Sequence, residues 1–147
     1  MMRSLKLATL AIFATAAMSA QDLKMDEVPS NLADTFKKEY PQATDVEWEM
    51  DMANYKVEFD VNRMEHELWY SKEGKVMKSE MELTETDLPA AIASVLKSKY
   101  ADYKVDSVEV TEENGAKTYE VDLEKGWNEE LDLVFSANGE VLSEMKD

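Results

Sequence analysis

The chain has 147 residues, a single histidine, no cysteine and a net charge of −16 at pH 7. Without cysteine there are neither disulfides nor a lipid anchor on an N-terminal cysteine, so the core has to stand on packing alone. A field this negative repels nucleic acid and anionic lipid surfaces; it favours cationic proteins, basic peptides or divalent cations, or it only keeps a secreted protein in solution.

The first residues read as a targeting segment. Arg3 and Lys6 make a short positive region, and Leu5 to Ala17 form an apolar stretch too short to span a bilayer comfortably. Small residues follow, with Ser19 or Ala20 as the cleavage point. Residues 1–20 are therefore expected to be a signal peptide and the mature protein to be periplasmic or secreted, with no membrane insertion after cleavage. What remains suits one compact domain or two small halves that share a core.

Gln21 to Glu27 is polar and reads as a loose arm. Pro29 then sits well at the first turn of a helix, in which Leu32, Phe36 and Tyr40 recur every four residues and Pro41 ends the run. From here the period changes to two. Val46, Trp48 and Met50 alternate with Glu47, Glu49 and Asp51; Tyr55, Val57, Phe59 and Val61 with Lys56, Glu58 and Asp60; His66, Leu68 and Tyr70 with Glu65, Glu67 and Trp69. These are half-buried antiparallel strands with one wet face.

The pattern then returns about sixty residues later. Leu88-Pro89, Ile92, Leu96 and Tyr100 answer Val28-Pro29, Leu32, Phe36 and Tyr40, and predict a helix from Asp87 or Leu88 to Tyr100 with Thr84, Thr86 and Asp87 as capping candidates. Tyr119, Val121 and Leu123 alternate with Glu120 and Asp122; Leu131, Leu133 and Phe135 alternate with Glu130, Asp132 and Val134. Asn114-Gly115 and Asn138-Gly139 are strong hairpin signals, with Ala53-Asn54, Asn62-Arg63 and Glu73-Gly74 weaker ones. The expected fold class is α+β: two tandem repeats, 21–82 and 83–147, each a helix followed by about four antiparallel strands, with the helices packed on one face of the sheet. The other face, if open, is covered in carboxylates. Whether the two sheets join is left open.

Motifs for chemistry are missing. His66 shares parity with Leu68 and Tyr70 and points toward the core, with no serine motif or ligand spacing beside it. There is no glycine-rich phosphate loop, dinucleotide fingerprint or paired-histidine metal helix, and no segment matches a calcium loop. Carboxylates are abundant, but on alternating strands they look solvated, without the burial that holds a proton near neutral pH. No catalytic residue, metal ligand or cofactor is assigned. Trp48 reads as core and Trp127 stays undecided. Trp69 has the parity of Glu65 and Glu67: it is either an aromatic anchor on the acidic face or covered by the other repeat or a loop.

The run Val28-Pro29, Phe36, Tyr40-Pro41, Ala43, Val46-Glu47-Trp48, Tyr55-Lys56-Val57-Glu58-Phe59 and Gly74-Lys75-Val76 resembles the PepSY-like family of secreted bacterial proteins, similar in fold to β-lactamase-inhibitor protein. The resemblance implies tandem units of helices on an antiparallel sheet, a periplasmic location and no known enzyme activity. It carries over no inhibitory residue, and Ala101 replaces the proline after the second helix, which should leave that helix end less sharply fixed.

The sequence thus points to a non-catalytic monomeric binding module, with protein or protease inhibition as one form of it. Its partner surface would be Glu47, Glu49, Glu58, Asp60, Glu65, Glu67 and Trp69 with Glu120, Asp122, Glu130 and Asp132, and its partner a cationic protein or peptide. The alternatives are a low-affinity divalent-cation protein of the envelope and a structural fold with no specific ligand.

Overall fold

The computed structural model describes residues 21–146, so the signal peptide and its cleavage point lie outside the described residues. Nine strands follow one another in a single antiparallel sheet whose spatial order is the chain order: β1 (Gln21–Leu23), β2 (Thr44–Asp51), β3 (Asn54–Val61), β4 (Met64–Tyr70), β5 (Val76–Leu83), β6 (Lys104–Glu113), β7 (Ala116–Lys125), β8 (Glu129–Ser136) and β9 (Val141–Lys146). Two ten-residue helices, α1 (Ser30–Glu39) and α2 (Ala90–Lys99), precede β2 and β6. β5 pairs directly with β6 from Lys78↔Glu113 to Leu83↔Val108, so the two halves share one uninterrupted surface.

Both helices start at a proline with extended ψ. The carbonyl of Pro29 accepts from the N–H groups of Leu32 and Ala33, and that of Pro89 from Ile92 and Ala93, at 3.0 Å each. The second helix therefore begins later than Asp87 or Leu88. Thr84 does cap, but it caps the 3-10 turn Glu85–Asp87, its N–H and hydroxyl both donating to the Asp87 carboxylate at 3.0 and 2.5 Å. The end of α2 is no looser for lacking a proline: Tyr100 donates to Leu96 as Tyr40 does to Phe36, and both helices stop at the same point. Gln21 to Leu23, expected as part of a loose arm, instead form an edge strand against Trp48 to Met50.

Each helix covers one half of the same sheet face. Leu32, Phe36 and Ala33 of α1 pack with Trp48, Val57, Phe59, Leu68 and Tyr70, an aromatic core in which Phe36 and Phe59 lie 4.8 Å apart edge to face. Ile92 and Leu96 of α2 pack with Val108, Val121, Leu123, Leu133 and Phe135, a mainly aliphatic core. His66 points to this side, as its parity requires, and stacks on Phe59 at 5.2 Å; burial lowers its pKa. The hairpin turns obey their residues. Asn114-Gly115 and Asn62-Arg63 both take positive φ at two successive positions, as the tight two-residue turn demands. Among the described residues no helix is long and apolar enough to cross a membrane.

Candidate functional site: the helix-free acidic face

The alternation that sends Val57, Leu68, Val121 and Leu133 under the helices sends their neighbours to the opposite face. There the register stacks like charges in rows. One row runs Glu47, Glu58, Glu67, Glu80 across β2 to β5, and the next runs Asp60, Glu65, Glu82, Glu109, Glu120 across β3 to β7. Adjacent strands are about 4.8 Å apart, so these carboxylates are close neighbours. Every residue expected on the partner surface takes a position on this face. Glu47 and Glu130 stand exposed at its periphery, while Glu49, Glu58, Asp60, Glu65, Glu67, Glu120, Asp122 and Asp132 are half-buried.

That half-burial corrects the expectation of fully solvated carboxylates. Burial, reinforced by Glu80, Glu120 and Glu67, pushes the Glu109 carboxyl up to about 7. Burial with Asp122 and Asp132 nearby does the same for Glu120. Glu67 also rises to about 7 through burial, in spite of the Lys56 ammonium beside it, and Glu65 rises for the same reason with Glu58 and Asp60 adding to it. Three carboxyls of this surface are thus raised to about 7.

The first half supplies its own cations. Lys56 Nζ sits among three carboxylates, 3.1 Å from Glu49, 2.6 Å from Glu58 and 3.0 Å from Glu67, with its side chain only 13 % exposed. Burial alone would lower its pKa; the three carboxylates outweigh it and raise it. Lys78 pairs with Glu80 at 2.5 Å. Trp69 has the expected parity, but it is covered and only 8 % exposed. The Lys78 and Lys56 ammonium groups lie 4.4 and 5.2 Å from its ring centre, and its indole N–H donates to Asp51 at 2.8 Å. Its ring face is therefore already engaged by internal cations, and the indole is a brace for the lysines rather than an open anchor.

Three contributors escaped the sequence reading. Glu80, Glu82 and Glu109 extend the rows because β5 and β6 join the halves, and only the alternation of Glu109 with Val108 and Val110 hinted at its side. Ser107 donates its hydroxyl to Asp122 Oδ2, leaving Asp122 Oδ1 enclosed and without a hydrogen-bond partner. Trp127, by contrast, stands fully exposed in the β7–β8 turn. Its hairpin is held by Lys125 over the Tyr103 ring at 5.6 Å and by the Tyr103 hydroxyl donating to Glu129 at 3.1 Å. Among the described residues no group of acidic or histidine side chains is placed to hold a metal ion.

The family described as "Putative beta-lactamase-inhibitor-like, PepSY-like" matches the chain twice, over residues 15–78 and 53–143. Among solved structures, a BLIP-like protein from Bacteroides fragilis is 30% identical, with 81% of this chain and 86% of that one covered and a TM-score of 0.61. A DUF2874 family protein from Bacteroides uniformis is 20% identical over 81% of this chain and 89% of its own, with a TM-score of 0.65. A protein from Bacteroides eggerthii, named among "putative periplasmic proteins", is 22% identical over 81% and 88%, with a TM-score of 0.66; these last two show the shared fold alone. No curated protein matches the chain. An α+β chain with two helices on one face of a single antiparallel sheet, matched over most of its length and sharing its architecture with a BLIP-like protein, belongs to the PepSY-like family.

Proposed function

We propose that this protein is a non-catalytic binding module of the periplasm or the extracellular space, inhibitor-like in its manner of action, that receives a cationic protein or peptide on its helix-free sheet face. The observation that carries this reading is the pair of carboxylate rows across β2 to β7, in which like charges face one another in register. Carboxylates placed opposite one another destabilise a sheet, so a surface that keeps two rows of them has a use for the field. Such a field steers a positive partner and selects against negative ones. The family's description as beta-lactamase-inhibitor-like supports action by binding another protein, and the naming of a neighbour as periplasmic supports the compartment. The element order and the double family match support a tandem duplication over 21–82 and 83–147.

The test is capture by the mature protein from periplasmic and secreted extract at low and high salt. A variant with Glu58, Asp60, Glu120 and Asp122 changed to Lys runs beside it. One basic partner, retained at low salt, released at high salt and lost by the variant, is the expected result. Equal, diffuse capture by both proteins makes the charge a solubility device and sinks the reading.

A further inference from the structure

Two features at one end of the second half have no counterpart in the first. The turn between β3 and β4 is Asn62-Arg63; that between β7 and β8 is one residue longer, Gly126-Trp127-Asn128, and carries a fully exposed indole. Large aromatic side chains are seldom left wholly in water. This one is held out firmly: Lys125, the last residue of β7, lies 3.7 Å from Asp102 and over the Tyr103 ring, and the Tyr103 hydroxyl donates to Glu129 at the start of β8. The second feature is a groove of about 150 Å³ between α2 and the sheet, lined by Leu88, Leu96, Tyr100, Tyr103, Val105 and Leu123. In the first half three rings meet at that place, Phe36, Tyr40 and Phe59, with centroids 4.8–5.5 Å apart. In the second half Leu96 and Leu123 replace both phenylalanines, and Tyr100 turns its hydroxyl to Glu144 at 2.7 Å.

We infer that this groove is the seat of Trp127 from a second copy of the chain, so that two molecules exchange indoles across a two-fold axis. A space of this volume with apolar walls takes one aromatic ring. Trp127 lies beyond Leu123 on the same hairpin and stands in water, not in its own groove. A two-fold axis brings each ring to the other molecule's groove and satisfies both at once. Charge favours the same partner. At this end Glu85 and Asp102 are balanced by Lys97 and Lys125, whereas the opposite face of the sheet is lined with carboxylates and repels its own kind. The groove lies on the helix side, so the pairing leaves the acidic face open and does not depend on that face binding anything. Each indole buries about 150–250 Å². With the groove walls the two exchanges cover roughly 600–1,000 Å², short of the ~1,200 Å² at which standard interfaces begin. The dimer is therefore weak and reversible, and the dilute protein is a monomer with its indole in water.

The test is sedimentation of the intact mature protein from micromolar to millimolar concentration, at low and high salt, with amide shifts followed over the same range. Wild type is compared with Trp127→Ala, which removes the ring, and with Leu96→Phe, which fills the groove from within as Phe36 fills the first half. Wild type should dimerise, and more strongly in high salt, where the repulsion between two strongly acidic chains is screened; capture on the acidic face responds in the opposite sense. Concentration should move the amides of both the hairpin 125–129 and the groove residues 88, 96, 100 and 123. Each variant should weaken the dimer about tenfold or more. A monomer at every concentration and salt overturns the inference, as does a dimer that Trp127→Ala leaves intact. So do shifts confined to the hairpin, which would mean ring packed on ring with the groove unused. Shifts at hairpin and groove that appear only on adding hexalysine would assign the groove to a cationic partner and equally overturn it. If Leu96→Phe does not fold, the Trp127→Ala comparison and the shift map of wild type decide the matter.

Discussion

Glu120 stands in β7 where Lys56 stands in β3: each lies opposite a glutamate of the preceding strand, Glu109 or Glu49, and two residues before an acidic side chain paired across to the next. One charge reversal at equivalent positions makes the two halves of a continuous sheet electrostatically different. In the first half a buried ammonium braces three carboxylates; in the second a glutamate stands at that position, its carboxyl raised by burial with Asp122 and Asp132 nearby. The fold tolerates this because the sheet is held from the other side by two helices and their cores.

If Lys56 is the keystone of the first half, removing it should be costly in a pH-dependent way. Lys56→Met leaves Glu49, Glu58 and Glu67 facing one another with no cation, and breaking a largely buried pair by deleting one partner is strongly unfavourable. A loss of about 2–3 kcal/mol in urea unfolding is expected near pH 8. Near pH 5 the loss should shrink, because Glu67, which titrates at about 7, is then protonated. A loss independent of pH would show that Lys56 acts by packing alone.

The wild-type protein itself should become more stable as the pH falls. Glu67, Glu109 and Glu120 hold their protons up to about 7 in the folded chain against 4.5 ordinarily. Between those values the folded state keeps protons that the unfolded state has released, so the stabilisation is fully present below the ordinary value and is lost as the pH rises through about 7. Solvent screening reduces the sum of the three to a few kcal/mol. Asp87, held low by Thr84, works in the opposite sense but is fully exposed. The melting temperature should climb from about pH 8 to about pH 5; a flat or falling curve would contradict the geometry of the rows.

How much of this was legible beforehand follows from where the information lies. Period and parity are local, so the two helices, the strand faces and the placement of Glu47, Glu58, Glu67, Asp122 and Asp132 could be read along the chain. β1 could not: three residues, Gln21 to Leu23, offer no period to detect. The burial of Trp69 depends on Lys78, which arrives from β5, and the rise of Glu109 depends on Glu80 and Glu120 from its two neighbouring strands. Such facts belong to the register between strands. The missing lysine at position 120 was visible as a letter, yet its meaning appears only when Glu49 and Glu109 are seen in the same relation to their partners.

Trp127 offers a direct optical check on the exposed hairpin. Trp48 and Trp69 are 5 % and 8 % exposed, whereas Trp127 is fully exposed. Acrylamide should therefore quench one component of the emission readily, and Trp127→Phe should remove that component together with the red edge of the spectrum. Since Trp127 buries nothing, its replacement should leave stability within about 0.5 kcal/mol. A substantial loss of stability, or quenching that survives the substitution, would mean that the hairpin folds back on the protein.

The two β-turns that join β4 to β5 and β8 to β9 provide an internally controlled pair. In each a serine carbonyl accepts from a glycine three residues on, Ser71 from Gly74 and Ser136 from Gly139. The glycines share the same left-handed backbone, φ +87 and +88. Alanine is strained at both positions by about 1 kcal/mol for that reason alone. Their surroundings differ. A Cβ on Gly74 would touch only the end of the Leu32 side chain at 4.0 Å, whereas one on Gly139 would lie 3.0 Å from the backbone carbonyl oxygen of Ala91, in the first turn of α2. A flexible leucine can move aside; a helix backbone packed through Ile92 and Leu96 can do so only by lifting off the sheet. Gly139→Ala should accordingly be less stable than Gly74→Ala by about 1–2 kcal/mol in thermal unfolding, the usual range for overpacking. Equal losses would show that backbone conformation accounts for the whole cost and that the turn and α2 are not in firm contact.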